Sequence, residues 1–122
     1  MAHVAQSIGQ WVAYVPTWTG FSADPTSVTA RYTLNGKMCS VYVVPGSQGT
    51  SNATTFTVTL PFNAKNVCAY VIRVADSGTW QTGLLTTAAG SNIATVYKTT
   101  AAGAFTNSGV KGTMFNILYE AE

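Results

Sequence analysis

Trp80 is the residue of this chain whose neighbours best suit chemistry with a ligand. It follows the polar run DSGT (residues 76–79) and precedes the run QTG (residues 81–83). An indole at a polar strand edge can pack against the apolar face of a sugar, while short polar groups bond the sugar hydroxyls. The candidate ligand-binding residues are therefore Trp80, Gln81, Asp76, Tyr42 and Trp18. The competing interpretation is that these aromatic residues pack in the core or against another subunit.

The residues that catalysis needs are scarce. A nucleophilic triad requires a base beside a serine or cysteine, and the single histidine is His3, in an unanchored terminal segment. Paired carboxylates would have to come from positions typical of turns or of the chain end, namely Asp24, Asp76, Glu120 and Glu122. Cys39 and Cys68 lack the spacing of a metal site, so buried free thiols are expected, with a disulfide between them as the alternative. The sequence predicts no enzyme activity, no catalytic or metal-binding residues and no cofactor.

Charge is sparse in this sequence. Charged residues make up 8% of the 122 positions, against about 25% in ordinary globular proteins, and the formal net charge is +2. So few charges cannot form the basic surface that binds nucleic acid. No apolar run approaches the ~20 residues that a membrane span needs. We therefore expect neither nucleic-acid binding nor membrane insertion. Sparse charge with 11% aromatic residues favours a homo-oligomer, with a threonine-coated monomer as the alternative.

The elements that must position these residues are short alternating strands separated by Gly, Asn, Pro and Ser. In residues 54–60, Phe56, Val58 and Leu60 alternate with threonines, and Pro61 is expected to end the strand. Residues 67–75 are more continuously apolar, which suits a strand covered on both faces. The pattern predicts an all-β fold, an antiparallel two-sheet β-sandwich of jelly-roll type with about seven to nine strands. We expect one domain over residues 1–122, with residues 1–9 as a loosely ordered lead-in.

A hairpin around Asn35-Gly36 is the clearest local element, because this pair can occupy a type I′ turn. A two-residue loop at these positions places Leu34 opposite Lys37 and Tyr32 opposite Cys39. One face of the hairpin is then apolar, and the other is mostly polar and carries Arg31 and Tyr42. The candidate subunit contacts are Tyr42, Arg31 and Trp11. The last strand should hold Phe115, Ile117 and Tyr119 in one apolar row.

Four segments of the chain resemble the C-terminal domains of bacteriophage tail-fibre and other virion structural proteins. They are WTGF (residues 18–21), ARYTLNGK (30–37), GTSNATTFTVTLP (49–61) and the closing GTMFNILYE (112–120). The resemblance covers most of the chain and is densest over residues 18–61. These segments are structural turns and strands, and they carry no reaction chemistry.

The resemblance implies a non-enzymatic virion structural protein. Domains of this class are mostly β-sandwich tips or decorations, are often trimeric, and often bind cell-surface glycans. We accordingly expect a homotrimeric tail-fibre or tail-tip domain that attaches the particle to a bacterial surface glycan or contacts other virion proteins. It would be assembled in the host cytoplasm and exposed on the particle surface. Two alternatives stay open, a monomeric carbohydrate-binding module and a capsid decoration protein without a ligand.

Overall fold

A computed structural model describes residues 10–122, and this part of the chain is all-β without a helix. Its ten strands are β1 (Val12–Ala13), β2 (Trp18–Thr19), β3 (Thr29–Asn35), β4 (Met38–Val44), β5 (Gly49–Thr50), β6 (Phe56–Ala64), β7 (Ala69–Asp76), β8 (Thr79–Thr86), β9 (Ser91–Tyr97) and β10 (Val110–Glu120). The expected lead-in, residues 1–9 with His3, lies outside the described residues. The all-β prediction is confirmed, and the ten strands exceed the expected seven to nine because the structure adds the two-residue strand β5.

The strands pair antiparallel in one curled sheet that forms a half-barrel. The order is β1-β3-β4-β10-β7-β8-β9-β6-β2, and β5 also pairs with β10. Hydrogen bonds therefore run continuously across the sheet, and the two-sheet jelly-roll sandwich expected from the sequence is not confirmed. The physical reason is the length of β10, whose 11 residues connect two groups of strands that would otherwise be separate.

Strand β10 changes its partner halfway along. Its first half, Lys111–Met114, pairs with β7, and its second half, Phe115–Glu120, pairs with β4. Where the ladder between β7 and β10 ends, two side chains form hydrogen bonds between these strands. Thr113 Oγ1 donates to the Arg73 carbonyl, and the Tyr70 hydroxyl donates to the Leu118 carbonyl, each at 2.8 Å. We call this divergence of β7 and β10 beyond Met114 the fork.

The core lies on the concave side of the curl. Phe56, Val58 and Leu60 are buried there, which confirms the predicted alternation. The apolar row of β10 is also confirmed, and its members, Phe115, Ile117 and Tyr119, are buried. The prediction that Pro61 ends β6 is wrong. The strand continues to Ala64 through a register irregularity between Thr59 and Ala64, the kind of place where a strand tolerates proline.

The β3–β4 hairpin keeps its predicted faces with a different register. Asn35 lies opposite Met38 and Leu34 opposite Cys39, so the two-residue loop consists of Gly36 and Lys37. Gly36 has a φ of 62°, as the first central residue of a type II′ turn requires. The predicted pairing of Leu34 with Lys37 is therefore wrong by two positions. A two-residue shift preserves the faces, because side chains alternate with a period of two.

Strand β7 is covered on one face only. Ile72 and Val74 are buried at 7% and 0% exposure, whereas Val71 is 70% exposed. The prediction that this strand is covered on both faces is wrong, because the sheet packs its core on the concave side alone. The outer face of β7 is thus an open, partly apolar surface. It continues across the neighbouring strands.

Candidate functional site: an arginine–aromatic groove

Cross-strand register brings a row of large side chains to the outer face of the sheet. Arg31 on β3 lies opposite Tyr42 on β4, and Tyr42 lies opposite Asn116 on β10. One pleat further along β10, Met114 lies opposite Arg73 on β7. Directly opposed residues of an antiparallel ladder point to the same face. These five side chains therefore form one surface that crosses four strands.

The β7–β8 hairpin adds Trp80 to this surface. Its turn is Ser77-Gly78, both with positive φ, which is the geometry of a type I′ turn. This turn sets Ala75 opposite Trp80 and Arg73 opposite Thr82. Trp80, Arg73 and Thr82 consequently share the outer face.

Two adjoining hollows lie along this surface, and together we call them the outer groove. The first has a volume of about 580 Å³ and lies at the fork, where Arg73 and Trp80 line it. The second has a volume of about 300 Å³ and extends toward Tyr42. The two hollows share the residues Met114, Phe115 and Asn116. The groove exists because β7 and β10 diverge at the fork, where no strand of residues 10–122 fills the space between them.

Both arginines of the groove stack on aromatic rings. The Arg73 guanidinium lies over the Trp80 ring, 5.5 Å from its centroid. The Arg31 guanidinium lies over two rings, 5.1 Å from the Trp11 centroid and 4.8 Å from the Tyr42 centroid. Stacking occupies the flat faces of a guanidinium and leaves the N–H donors, which lie in its plane, available for hydrogen bonds.

Within residues 10–122 neither arginine forms an ion pair or a side-chain hydrogen bond. The two ion pairs of this part of the chain are Lys65 with Glu120 and Lys98 with Asp76. Glu120 is on the outer face of β10, four residues beyond Asn116, and its carboxylate is already held by Lys65 and Asn66. Arg73 lines the groove, and Arg31 lies beside it over the Tyr42 ring, with no carboxylate of the described residues neutralising either charge.

Asp76 lies on the opposite side of β7, in a buried polar cluster with Lys98, Thr106 and Lys111. Its carboxylate accepts hydrogen bonds from the Thr106 backbone N–H at 3.1 Å and from the Thr106 hydroxyl at 2.7 Å. The Lys98 ammonium lies 3.0 Å away. Burial alone would raise the pKa of Asp76, but the bonds from Thr106 and the charge of Lys98 outweigh it and hold this pKa below its usual range.

Lys111 completes the buried polar cluster. It is fully buried, and its Nζ donates to the carbonyls of Ser51 and Ser108 at 3.0 and 2.9 Å. Burial lowers the pKa of Lys111, and the nearby carboxylate of Asp76 partly opposes this effect. These bonds fasten the segment after β9 and the segment after β5 to the sheet. The cluster has a structural role, because its two buried charged groups, Asp76 and Lys111, are bonded within the protein; Lys98 and Thr106, which bond Asp76, are themselves partly exposed.

The structure places three of the five candidate ligand residues on the outer groove: Trp80 and Tyr42 by their side chains, and Gln81 as a lining residue of the first hollow. Asp76 belongs to the buried polar cluster. Gln81 points to the inner side, where its Nε2 donates to the Lys98 carbonyl at 3.1 Å. Trp18 is 8% exposed and packs in the core against Phe21 and Phe56.

The three candidates for subunit contact, Trp11, Arg31 and Tyr42, come together within one chain, in the stack at the end of the groove. Sequence reasoning missed Arg73, Met114 and Asn116. The sequence does carry a signal for Arg73. A two-residue Ser77-Gly78 turn pairs Ala75 with Trp80, and Arg73 lies two positions before Ala75, so it shares a face of the sheet with Trp80. Asn116 and Met114 carried no such local signal, since their neighbours on β4 and β7 are distant in sequence.

The remaining candidate chemistry concerns metals, thiols and membranes. Among residues 10–122, no group of three His, Cys, Asp or Glu side chains is arranged to hold a metal ion. Cys39 is buried and Cys68 exposed, and both are free thiols. In the same residues, no helix has the length and apolar character to cross a membrane. Comparison of the chain with protein-family models, curated proteins and solved structures finds no match.

Proposed function

We propose that this chain is a non-enzymatic virion structural domain that attaches a bacteriophage particle to glycans on the host surface. The observation that carries the glycan part is the outer groove, an open hollow with stacked aromatic rings at both ends. The virion part rests on the resemblance of four chain segments to tail-fibre and virion domains. On this proposal the domain is exposed on the particle surface.

The groove offers both kinds of contact that a sugar requires. Met114 and the stacked pair of Trp80 and Arg73 give an apolar and planar floor for the C–H face of a pyranose. The Thr82 hydroxyl and the Asn116 amide stand beside this floor and can bond sugar hydroxyls. These residues lie on paired strands, so binding requires little reordering of the protein.

We also propose that the domain acts as a homotrimer. Sparse charge supports this, as do exposed apolar side chains such as Val15 at 92% and Val67 at 74%. Three weak sites on one tip act as one stronger site against a dense glycan layer. Trp11, Arg31 and Tyr42 already contact one another within one chain, so the proposal assigns them to the outer groove.

A jelly-roll-like sandwich is part of the same proposal. The change of partner along β10 supports it, because β10 joins one group of strands through β4 and another through β7. Inner side chains of both groups, such as Val41 and Val96, belong to one core. The sandwich predicts that inner side chains of the two groups face each other across this core, so nuclear Overhauser contacts between the methyl groups of Val41 and Val96 are expected, and their absence would contradict it.

The test of attachment is saturable binding to a panel of purified bacterial envelope polysaccharides, immobilised on a sensor surface. We expect saturable binding by the wild-type chain and at least tenfold weaker binding by Trp80→Ala. The matched control is Ile93→Ala, which truncates a half-exposed side chain on β9 away from the groove lining. Circular dichroism shows whether each variant is folded. Absence of saturable binding to every polysaccharide and to intact cells would refute the attachment function.

The oligomeric state separates this proposal from a monomeric carbohydrate-binding module, which the same groove would also serve. Light scattering after size exclusion should give about three times the 12.8 kDa chain mass. A monomer that binds soluble glycan through Trp80 would favour the module. Binding to assembled capsids without binding to glycans would favour a capsid decoration protein.

A further inference from the structure

We propose that the outer groove selects acidic glycans, chains of carboxylate-bearing sugars that are anchored at Arg73 and Arg31. This inference rests on the proposed function and names the class of its ligand. It follows from the arginines rather than from the aromatic rings. A neutral sugar would use the rings and leave both guanidinium groups without a partner.

The first argument is that each guanidinium is positioned before a ligand arrives. Arg73 is stacked on Trp80, and Arg31 lies over the rings of Trp11 and Tyr42. Stacked arginines lose less side-chain entropy when they bind an anion. Their in-plane N–H donors can form two parallel bonds to one planar carboxylate. Such an arrangement suits recognition of a carboxylate better than recognition of a hydroxyl.

The second argument is that the groove contains no carboxylate of its own to compete. Its lining residues are Tyr42, Val44, Val71, Ile72, Arg73, Trp80, Gln81, Thr82, Met114, Phe115 and Asn116. Glu120, the acidic residue further along β10, is engaged with Lys65. An incoming carboxylate therefore meets positive charge without repulsion from the groove itself.

The third argument concerns the spacing of the two arginines. Arg31 is on β3 and Arg73 is on β7, and the strands β4 and β10 lie between them. Along β10, Met114 is the partner of Arg73 and lies two residues from Asn116, the partner of Tyr42. The two Cα atoms are therefore roughly 15 Å apart. One acidic group cannot reach both guanidinium groups, whereas a chain with repeated acidic sugars can. Engagement of the second arginine is then intramolecular, so affinity should rise with chain length.

Lysines are absent from the groove lining, which favours a carboxylate polymer over a densely charged polyphosphate. Binding to nucleic acid or to a phosphate-rich surface draws on many cations, whereas this groove has Arg73 in its lining and Arg31 beside its Tyr42 end. The expected ligand carries one planar acid on successive sugars, as a polyuronate does.

The test is calorimetric titration of the full chain with oligogalacturonates of increasing length. The matched control ligand is the same oligomer after chemical reduction of its carboxyl groups to alcohols, which preserves the sugar backbone. We expect the acidic oligomer to bind at least tenfold more tightly than the reduced one. Affinity should increase with length and then level off, and added salt should weaken it.

Substitutions locate the effect within the groove. We expect Arg73→Gln and Arg31→Gln each to weaken binding of the long acidic oligomer about tenfold, and to weaken binding of the reduced oligomer clearly less, because that oligomer does not use the arginine charge. Arg73→Lys keeps the charge and removes the planar fork, so it should also weaken binding. The control is Lys37→Gln, which removes the same charge at the exposed hairpin loop and should leave binding unchanged.

Three outcomes would overturn the inference. Equal binding of acidic and reduced oligomers would contradict acid selection and leave the proposed attachment to glycans standing. Equal losses in Lys37→Gln and Arg73→Gln would show that only net charge matters. No binding of either oligomer, together with saturable binding of neutral envelope polysaccharides, would also refute acid selection, whereas failure with every glycan would refute the proposed function itself.

Discussion

The outer groove and the buried polar cluster share strands β7 and β10, and they differ in whether their charged side chains have partners within the protein. In the cluster, the carboxylate of Asp76 is satisfied by Lys98 and Thr106, and Lys111 donates to two carbonyls. At the groove, Arg31 and Arg73 rest on aromatic rings without a carboxylate partner in the described residues. Asp76 and Arg73 are three residues apart on β7, so alternation alone sends them to opposite faces.

This contrast indicates which charges serve the fold and which are available for binding. A buried charge must be paired or hydrogen-bonded, because an isolated one is costly in a protein interior. An exposed arginine that is ordered by stacking keeps its donors for an outside partner. Substitutions in the cluster should therefore change stability, and substitutions in the groove should change binding.

The largest expected effect is that of Lys111→Met. This change keeps an apolar stem of similar length and removes the ammonium that bonds the carbonyls of Ser51 and Ser108. We expect the free energy of unfolding to fall by about 3 kcal/mol, measured by denaturant titration. Lys37→Met, at the exposed hairpin loop, is the control and should change it by less than about 0.5 kcal/mol. Equal effects of Lys111→Met and Lys37→Met on the free energy of unfolding would contradict the structural role of the buried polar cluster.

A somewhat smaller loss is expected for Asp76→Asn. The amide retains the shape of the side chain and loses the charge that faces Lys98, so stability at pH 7 should fall by about 2 kcal/mol. The pKa of Asp76 lies below its unfolded value of about 3.9, so its contribution is complete above that pH and is lost as pH falls through the folded pKa. Denaturation at a series of pH values should show the wild-type advantage shrinking in acid. An advantage that grows in acid would contradict the assigned role of this carboxylate.

The smallest stability effect belongs to the groove. Arg73→Gln removes the stack on Trp80 and no ion pair, so we expect it to lower the free energy of unfolding by less than about 1 kcal/mol. Thermal unfolding checks this value beside the binding measurement on the same preparation. A loss as large as that of Lys111→Met would mean that Arg73 serves the fold, and the contrast between the two regions would fail.

Much of the fold followed from local sequence patterns. The alternation at Phe56, Val58 and Leu60 and the row ending at Tyr119 are each contained in a few residues, and both sets are buried as predicted. The register of the β3–β4 hairpin was missed because Asn35-Gly36 and Gly36-Lys37 both make acceptable two-residue loops. The choice between these two loops depends on the pairing of residues along the whole hairpin, and the turn residues alone do not predict it.

The candidate site was less predictable, because strands distant in sequence form it. Trp80 was singled out from the polar residues beside it, but its immediate neighbour Gln81 points to the other side of the sheet. Asn116 and Tyr42 are 74 positions apart and meet only through the pairing of β10 with β4. The groove itself arises at the fork, which exists because β10 changes its partner strand. No local sequence pattern predicts the position of this change.

The most direct measurement of the central claim uses the three tryptophans as reporters. Trp80 lines the outer groove, Trp11 lies against Arg31 beside the Tyr42 end of the groove, and Trp18 is buried in the core as an internal control. Nitrogen-15 spectra resolve the indole N–H signals, which Trp→Phe variants assign, during titration with a long oligogalacturonate. The account predicts that the Trp80 and Trp11 signals shift saturably with one affinity while the Trp18 signal stays in place. Shifts confined to other parts of the chain, with both groove signals unmoved, would contradict it.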